Sequence, residues 1–196
     1  MVMIKIVGID ISLNNIGICK AVIKDNRVKI DDLSLIQPPK ADSQSKKQVR
    51  KNSDDLRRAR WLQENLMLAI EDCQIIAVEM PFGSQSARAM ASYGICVGVL
   101  ASVKKPMIEV TPAEVKLAGF GIRTATKQEM IAWATDKHPE ANWKMRMLKG
   151  KKVLTSDNEH MADATAAIYA GMKTEQFKTA IAMANMFKKE FDKKVA

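Results

Sequence analysis

Cysteine is scarce and unpatterned in this chain. Cys19, Cys73 and Cys96 are odd in number, show no Cys-x-x-Cys spacing and each lie in an apolar stretch. That excludes a disulfide framework and points to reduced core thiols in a cytoplasmic setting. Long apolar runs are missing too. None approaches the length of a membrane span, and Lys5 and Asp10 interrupt the early apolar block, so neither a membrane anchor nor a signal peptide is expected. There is no repeat or low-complexity segment. Acidic residues are in deficit, with 22 Asp and Glu against 31 Lys and Arg, a formal net charge of +9 and a pI near 9.5. Such a balance favours a polyanionic partner, nucleic acid first. What is present is one ordinary domain's worth of chain: 196 residues, 47% hydrophobic, enough to bury a core.

Residues 3–36 read as an antiparallel meander of three strands: IKIVGID, then IGICKAVIK after a turn at Asn14, Asn15 and Gly17, then RVKIDDLSLI after a tight turn at Asp25–Asn26. A polar loop over 37–52 precedes an amphipathic helix, with Ser53 as N-cap and Leu56, Leu62, Leu66 and Ile70 near one face. QIIAVE is a short buried strand. The small-residue helix over 86–104 places Gly94 and Gly98 at i, i+4, a spacing that suits close approach to a sheet. PMIEV is another strand, and Thr111–Pro112 caps a helix. A Gly-rich link follows, and Thr126 to Glu129 forms a capping box opening a helix to about His138. Residues 139–158 have no clean period. A helix carrying His160 and Asp163 ends near Gly171, and a basic amphipathic helix fills 174–193. The order implies an α/β domain, a mixed sheet covered by helices.

Four residues stand out chemically. Asp10 ends the first apolar strand. It either caps its own turn or, sharing a face with Ile4, Ile6 and Gly8, points inward as a metal ligand. Ser12, Asn14 and Asn15 beyond it suit a polar, phosphate-approaching loop. Glu79 closes a second buried strand, where a carboxylate needs a salt-bridge partner or a cation. His160 and Asp163 share one helix face at i, i+3. Asp157 and Glu159 are close enough to compete for the ligand role, though Glu159, about 100° round the helix from His160, should face elsewhere. Hard oxygen donors with one imidazole suit Mg²⁺ or Mn²⁺, and two such ions about 4 Å apart clamp the attacking and leaving oxygens of a phosphodiester.

The segments GIDISLNNIG, IIAVEMPFGSQSARAMASYGICVGVL, VTPAEVKLAGFGIRTATKQEMI and HMADATAAIYAG, in that order, resemble the RuvC family of Holliday-junction resolvases within the RNase H-like superfamily. The resemblance implies an RNase H-like mixed five-stranded sheet flanked by helices. It implies a homodimer acting on four-way DNA junctions and a metal quartet at Asp10, Glu79, His160 and Asp163. His160 stands where many members have Asp, which leaves its role open between ligand and general base. Phe82, three residues after Glu79, resembles the family's aromatic that stacks on a base; core packing is the alternative. Lys127 resembles a lysine near the scissile phosphate. Independently, a lysine in a helix's first turn opposes the macrodipole at a cost of ~0.5 kcal/mol. Lys116 is a weaker candidate of the same kind.

Residues 1–173 are expected to form the nuclease domain, with 174–196 as a basic helix packed on it or extending it. Two basic stretches, KKQVRKNSDDLRRAR and KMRMLKGKK, are expected to meet phosphates. The second contains Lys144, Arg146 and Lys149 and is longer than in typical members. A bacterium or a phage-infected cell suits such a chain. The rival readings are another RNase H-like nuclease on branched DNA or RNA–DNA hybrid, and a non-catalytic junction-binding protein. An actin-like ATPase or sugar kinase is disfavoured, because no second glycine-rich phosphate loop follows another acid.

Overall fold

The structure is a computed structural model that describes residues 2–40 and 51–195. Most of the expected 37–52 loop, and the start of the first basic stretch, lie outside the described residues. Strands β1 (Ile4–Ile11), β2 (Ile16–Lys24) and β3 (Arg27–Ile36) form the expected antiparallel meander. Its second turn places Asp25 and Asn26 at φ 51° and 59°. Both are left-handed, as a two-residue type I′ hairpin requires and as Asp and Asn tolerate. β4 (Ile75–Glu79) then adds parallel to β1, and β5 (Met107–Val110) parallel to β4, giving the order β3-β2-β1-β4-β5. This is the mixed five-stranded sheet expected from the sequence.

Both faces of the sheet are covered, which is why β1 and β4 read as continuous apolar runs rather than alternating ones. Val7, Ile9, Ile16, Ile18, Ile76 and Val78 pack against Leu62, Leu66 and Ile70 at α1 (Lys51–Ala69) and Cys96, Val99 and Leu100 of α2 (Ala87–Ala101). On the other face Ile4, Ile6, Cys19, Ala77 and Ile108 meet α3 (Pro112–Ala118), α4 (Lys127–Lys137) and α5 (Asn158–Met172). Phe177 of α6 (Glu175–Val195) closes that core. Both Thr111 and Thr126 form capping boxes, with Glu114 and Glu129.

α5 lies closest to the sheet, and glycine makes room for it. A Cβ on Gly8 would fall 2.0 Å from the Ala164 carbonyl oxygen, and one on Gly17 would fall 2.1 Å from that of His160. The helix answers with Ala162, Ala164, Ala166 and Ala167, all fully buried. Small residues on both sides bring the helix backbone down onto β1 and β2.

Four expectations give way. Gly94 and Gly98 do not meet the sheet: a Cβ on either would touch nothing within 4 Å, and with Met90 and Val97 they lie on an exposed face of α2. Leu56 is exposed, while Leu62, Leu66 and Ile70 are buried, because Asp55 holds the buried face of α1 at that turn and Leu56 lies about 100° round the helix from it. Ser53 sits inside α1 rather than capping it. The stretch over 139–158 contains a second, two-stranded sheet, β6 (Met145–Leu148) and β7 (Lys151–Leu154). Among the described residues, no helix is long and apolar enough to cross a membrane.

Candidate functional site

The parallel register of β1 and β4 sets Asp10 directly beside Glu79. Both belong to the sheet face that carries Ile6 and Ala77, beneath α5, near the carboxyl ends of their strands. On its other side Asp10 pairs with Gly17, and His160 rests over Gly17. Backbone geometry therefore delivers His160 to Asp10: His160 Nδ1 lies 2.6 Å from Asp10 Oδ2. Asp163, three residues on, faces the same pocket.

The electrostatics show how tightly these groups share their space. Burial, then the charges of Asp10 and Asp163, pushes the Glu79 carboxyl up to about 8. Burial, then Asp10 and Glu159, pushes Asp163 up to about 7. Lys116 pulls both downward, which places its charge within reach of the pocket. Asp163 Oδ1 is buried with no hydrogen-bond partner. The hydrogen bond to Asp10 raises His160, with burial opposing.

The imidazole is held at both nitrogens. Gln37 Nε2 donates to Asn15 Oδ1 at 2.8 Å, which turns Asn15 Nδ2 toward His160 Nε2 at 3.2 Å. In that orientation the amide nitrogen can only donate, so the neutral ring accepts at Nε2 and carries its proton on Nδ1 facing Asp10. Within the turn, Ser12 closes the loop through the Asn15 carbonyl and N–H, and Asn14 accepts from Arg58. Sequence reading grouped Asn15 with its neighbours as a polar loop and assigned Gln37 nothing. A cleft of about 420 Å³, lined in part by Asn15, Gln37, Lys40 and Arg58, opens beside this chain of amides.

The expectation for Glu159 is corrected. It lies at the rim of the site, 2.6 Å from Lys127 Nζ, and its charge is felt by Asp163 and Glu79. The helix angle from His160 is as expected, but α4 brings Lys127 to meet it. That pair also offsets the lysine's position in the first turn of α4. Phe82 is 72% exposed on the loop after β4, so it is not a core residue. Arg146 and Lys149 stand on the β6–β7 hairpin rather than among the carboxylates, and Lys144 stands at its root, 3.4 Å from Asp157. In the described part of the first basic stretch, Arg57 and Arg58 both pair with Asp54 at 2.8 Å, which engages them internally.

Among the described residues no three His, Cys, Asp or Glu side chains stand at metal-ligand spacing. Two facts weigh the other way: an orphaned buried carboxylate oxygen, and acids crowded until two of them hold protons near neutrality. Spacing depends on side-chain rotamers, whereas the crowding follows from strand register, which no rotamer change relieves. The donor set of carboxylate oxygens fits a hard divalent cation.

No family model matches the sequence, and no curated protein does. Solved structures do match in fold. A structure of Thermus thermophilus RuvC in complex with a Holliday junction substrate is 15% identical, with a TM-score of 0.61, over 90% of this chain and 96% of that one. A second RuvC structure from the same organism is 16% identical, with a TM-score of 0.54, over 85% of this chain and 92% of that one. Asp10, Glu79, His160 and Asp163 thus converge within a chain that shares, over nearly its whole length, the fold of these RuvC structures.

Proposed function

We propose that this chain is a structure-selective DNA endonuclease that resolves four-way junctions by metal-dependent phosphodiester hydrolysis. The observation that carries the reading is the in-register Asp10–Glu79 pair beneath α5, with Asp163 and its unpartnered oxygen beside them. Asp10, Glu79 and Asp163 would hold two Mg²⁺ or Mn²⁺ ions. When bound, such ions align an attacking water and stabilise the leaving 3′ oxygen. With Nδ1 turned to Asp10, His160 would act as a ligand or proton acceptor through Nε2, once Asn15 Nδ2 releases the lone pair it engages. Lys116 and Lys127 line the approach of a scissile phosphate. Phe82, exposed beside Glu79, is free to stack on an opened base.

Two copies would be needed to cut a four-way junction symmetrically, and the uncovered small-residue face of α2 supports a homodimer. The structure of RuvC with a Holliday junction substrate supports branched DNA as the partner. The test is nicking of a labelled immobile junction with Mg²⁺ or Mn²⁺, beside a linear duplex, a flap and an RNA–DNA hybrid. Paired nicks in the junction alone are expected. Asp10→Asn should abolish cutting and leave junction binding in place; an active Asp10→Asn protein overturns the assignment. Cutting of the flap or hybrid instead keeps the nuclease and discards the resolvase.

A further inference from the structure

The β6–β7 hairpin is a feature that the carboxylate site does not use. Its turn residues Lys149 and Gly150 have φ 49° and 77°, the left-handed pair of a tight hairpin. Among the described residues the two strands pair only with each other, and an isolated hairpin is marginal in water, so its root must hold it. Fully buried Asn158 does so. Its Oδ1 accepts from the Lys144 backbone N–H at 2.9 Å, and its Nδ2 donates to the carbonyls of Lys144 and Thr155 at 2.8 and 3.0 Å. Trp143 is buried with its indole N–H donating to the His138 carbonyl at 2.8 Å. Asn142 bonds both the N–H and the carbonyl of Leu33 on the edge strand β3.

Beyond that fixed root the ribbon is exposed and oddly composed. Met145, Met147 and Leu148 are 54%, 64% and 48% exposed. Arg146, Lys149, Lys151 and Lys152 are interspersed with them and no acid lies between Ala141 and Ser156, while Lys144 at the root pairs with Asp157 at 3.4 Å. A solvated ribbon would carry polar side chains on both faces. This one mixes apolar surface with positive charge that no acid within the ribbon offsets. The charge selects a polyanion, and the apolar side chains select something more than phosphate. Successive strand residues face opposite sides, so Met147 and Leu148 present apolar surface on both faces of the ribbon. A wedge between two nucleic-acid arms needs that arrangement, and Met and Leu serve as wedges that unstack base steps elsewhere. Asn158 lies two residues before His160 on α5, so the ribbon projects from the helix end that carries the carboxylate site.

We infer that the β6–β7 hairpin is a branch-point wedge: Met147 and Leu148 enter between unstacked bases of branched DNA while Lys149, Lys151 and Lys152 hold the flanking phosphates. This rests on the nuclease reading above. The test uses the full chain in chelator with a four-way junction carrying 2-aminopurine at its branch point, and a linear duplex of matching sequence. The wild-type protein should raise the 2-aminopurine fluorescence. Met147→Ser with Leu148→Ser, both at exposed positions, should lose that rise. The same variant should bind the junction about tenfold or more weaker, while duplex affinity is unchanged. Lys149→Ser with Lys151→Ser and Lys152→Ser should instead weaken both substrates and reduce the salt slope of log K by ~0.9 for each phosphate contact removed. If the wild-type protein binds the junction and the apolar variant matches it in affinity and fluorescence, the wedge falls and the nuclease reading stands. If that variant also shifts the oligomeric state, the apolar surface belongs to a second copy of the chain, which overturns the wedge as well. A wild-type protein that neither binds nor cuts branched DNA overturns both.

Discussion

Each face of the sheet carries a helix rich in small residues, yet the small residues do opposite things. Under α5 the glycines are in the strands, and the helix backbone comes within 2.0–2.1 Å of where their Cβ atoms would be. In α2 the glycines are in the helix, and Gly94 and Gly98 look onto open space. The first arrangement is a completed contact that fixes His160 over the sheet. The second is a surface with none of the described residues against it. Small residues at helical spacing therefore mark a capacity for close approach, and only the fold tells whether the chain itself fills it.

Charge divides the faces in the same way. Toward α5, Glu79 and Asp163 are pushed up to about 8 and about 7 by burial and by one another. Toward α1 and α2, Asp54 is lowered by its hydrogen bond to Arg57, and Asp55 by its hydrogen bond to Arg88. The face with the candidate site is electrostatically frustrated, whereas the α1–α2 face is satisfied.

The largest expected effect that tests this contrast is at Gly17. Gly17→Ala drives a methyl into the His160 backbone and should cost about 1–3 kcal/mol or more in urea unfolding. Junction cleavage should fall further than stability does, because His160 and Asp10 part; unchanged stability would mean α5 does not rest on β2. The next effect is in pH. The folded chain holds the Glu79 proton more tightly than the unfolded chain, so the stability it contributes is present in acid. It is lost as pH rises from 4.5, the ordinary carboxyl value, through about 8. Metal-free Tm should fall across that window, Glu79→Gln should flatten the fall, and added Mg²⁺ should raise Tm most at its alkaline end. Asp54 and Asp55 act with the opposite sign, and their contribution is lost as pH falls below the ordinary carboxyl range. The smallest effect belongs to α2. Gly98→Ala removes helix-interior flexibility without a clash and should stabilise the single chain by ~0.5–1 kcal/mol. If the face receives a second copy at close range, the same change should weaken dimerisation in sedimentation; a dimer indifferent to it would place the interface elsewhere.

Much of this was legible in the sequence where one rule acted alone. The meander, the capping boxes and the placement of Asp10 and Glu79 at strand ends follow from period, turn chemistry and the oddity of a carboxylate closing an apolar run. The β6–β7 hairpin was not legible, because strand alternation is read from apolar against polar faces and both faces of this ribbon mix the two. Its one local cue was Lys149–Gly150. Gly94 and Gly98 misled because the sequence gives a spacing and not a partner. Glu159 was misplaced because its angle was taken from α5 alone, while Lys127 reaches it from α4. Gln37 left no trace at all, since a single amide acting on another amide has no pattern to detect.

The pairing of Asp10 with His160 spans 150 residues of sequence, and that of Asp10 with Glu79 depends on a parallel register in which a slip of one residue would turn Glu79 to the opposite face. The site therefore exists only where segments far apart in the chain meet. A nascent chain that has made its three-stranded meander holds Asp10 but neither β4 nor α5, and non-local pairings of this kind are slow to form. Competence at the carboxylates is thereby tied to the arrival of α5, and a chain that stops before Asp163 or slips at β4 lacks the assembled site.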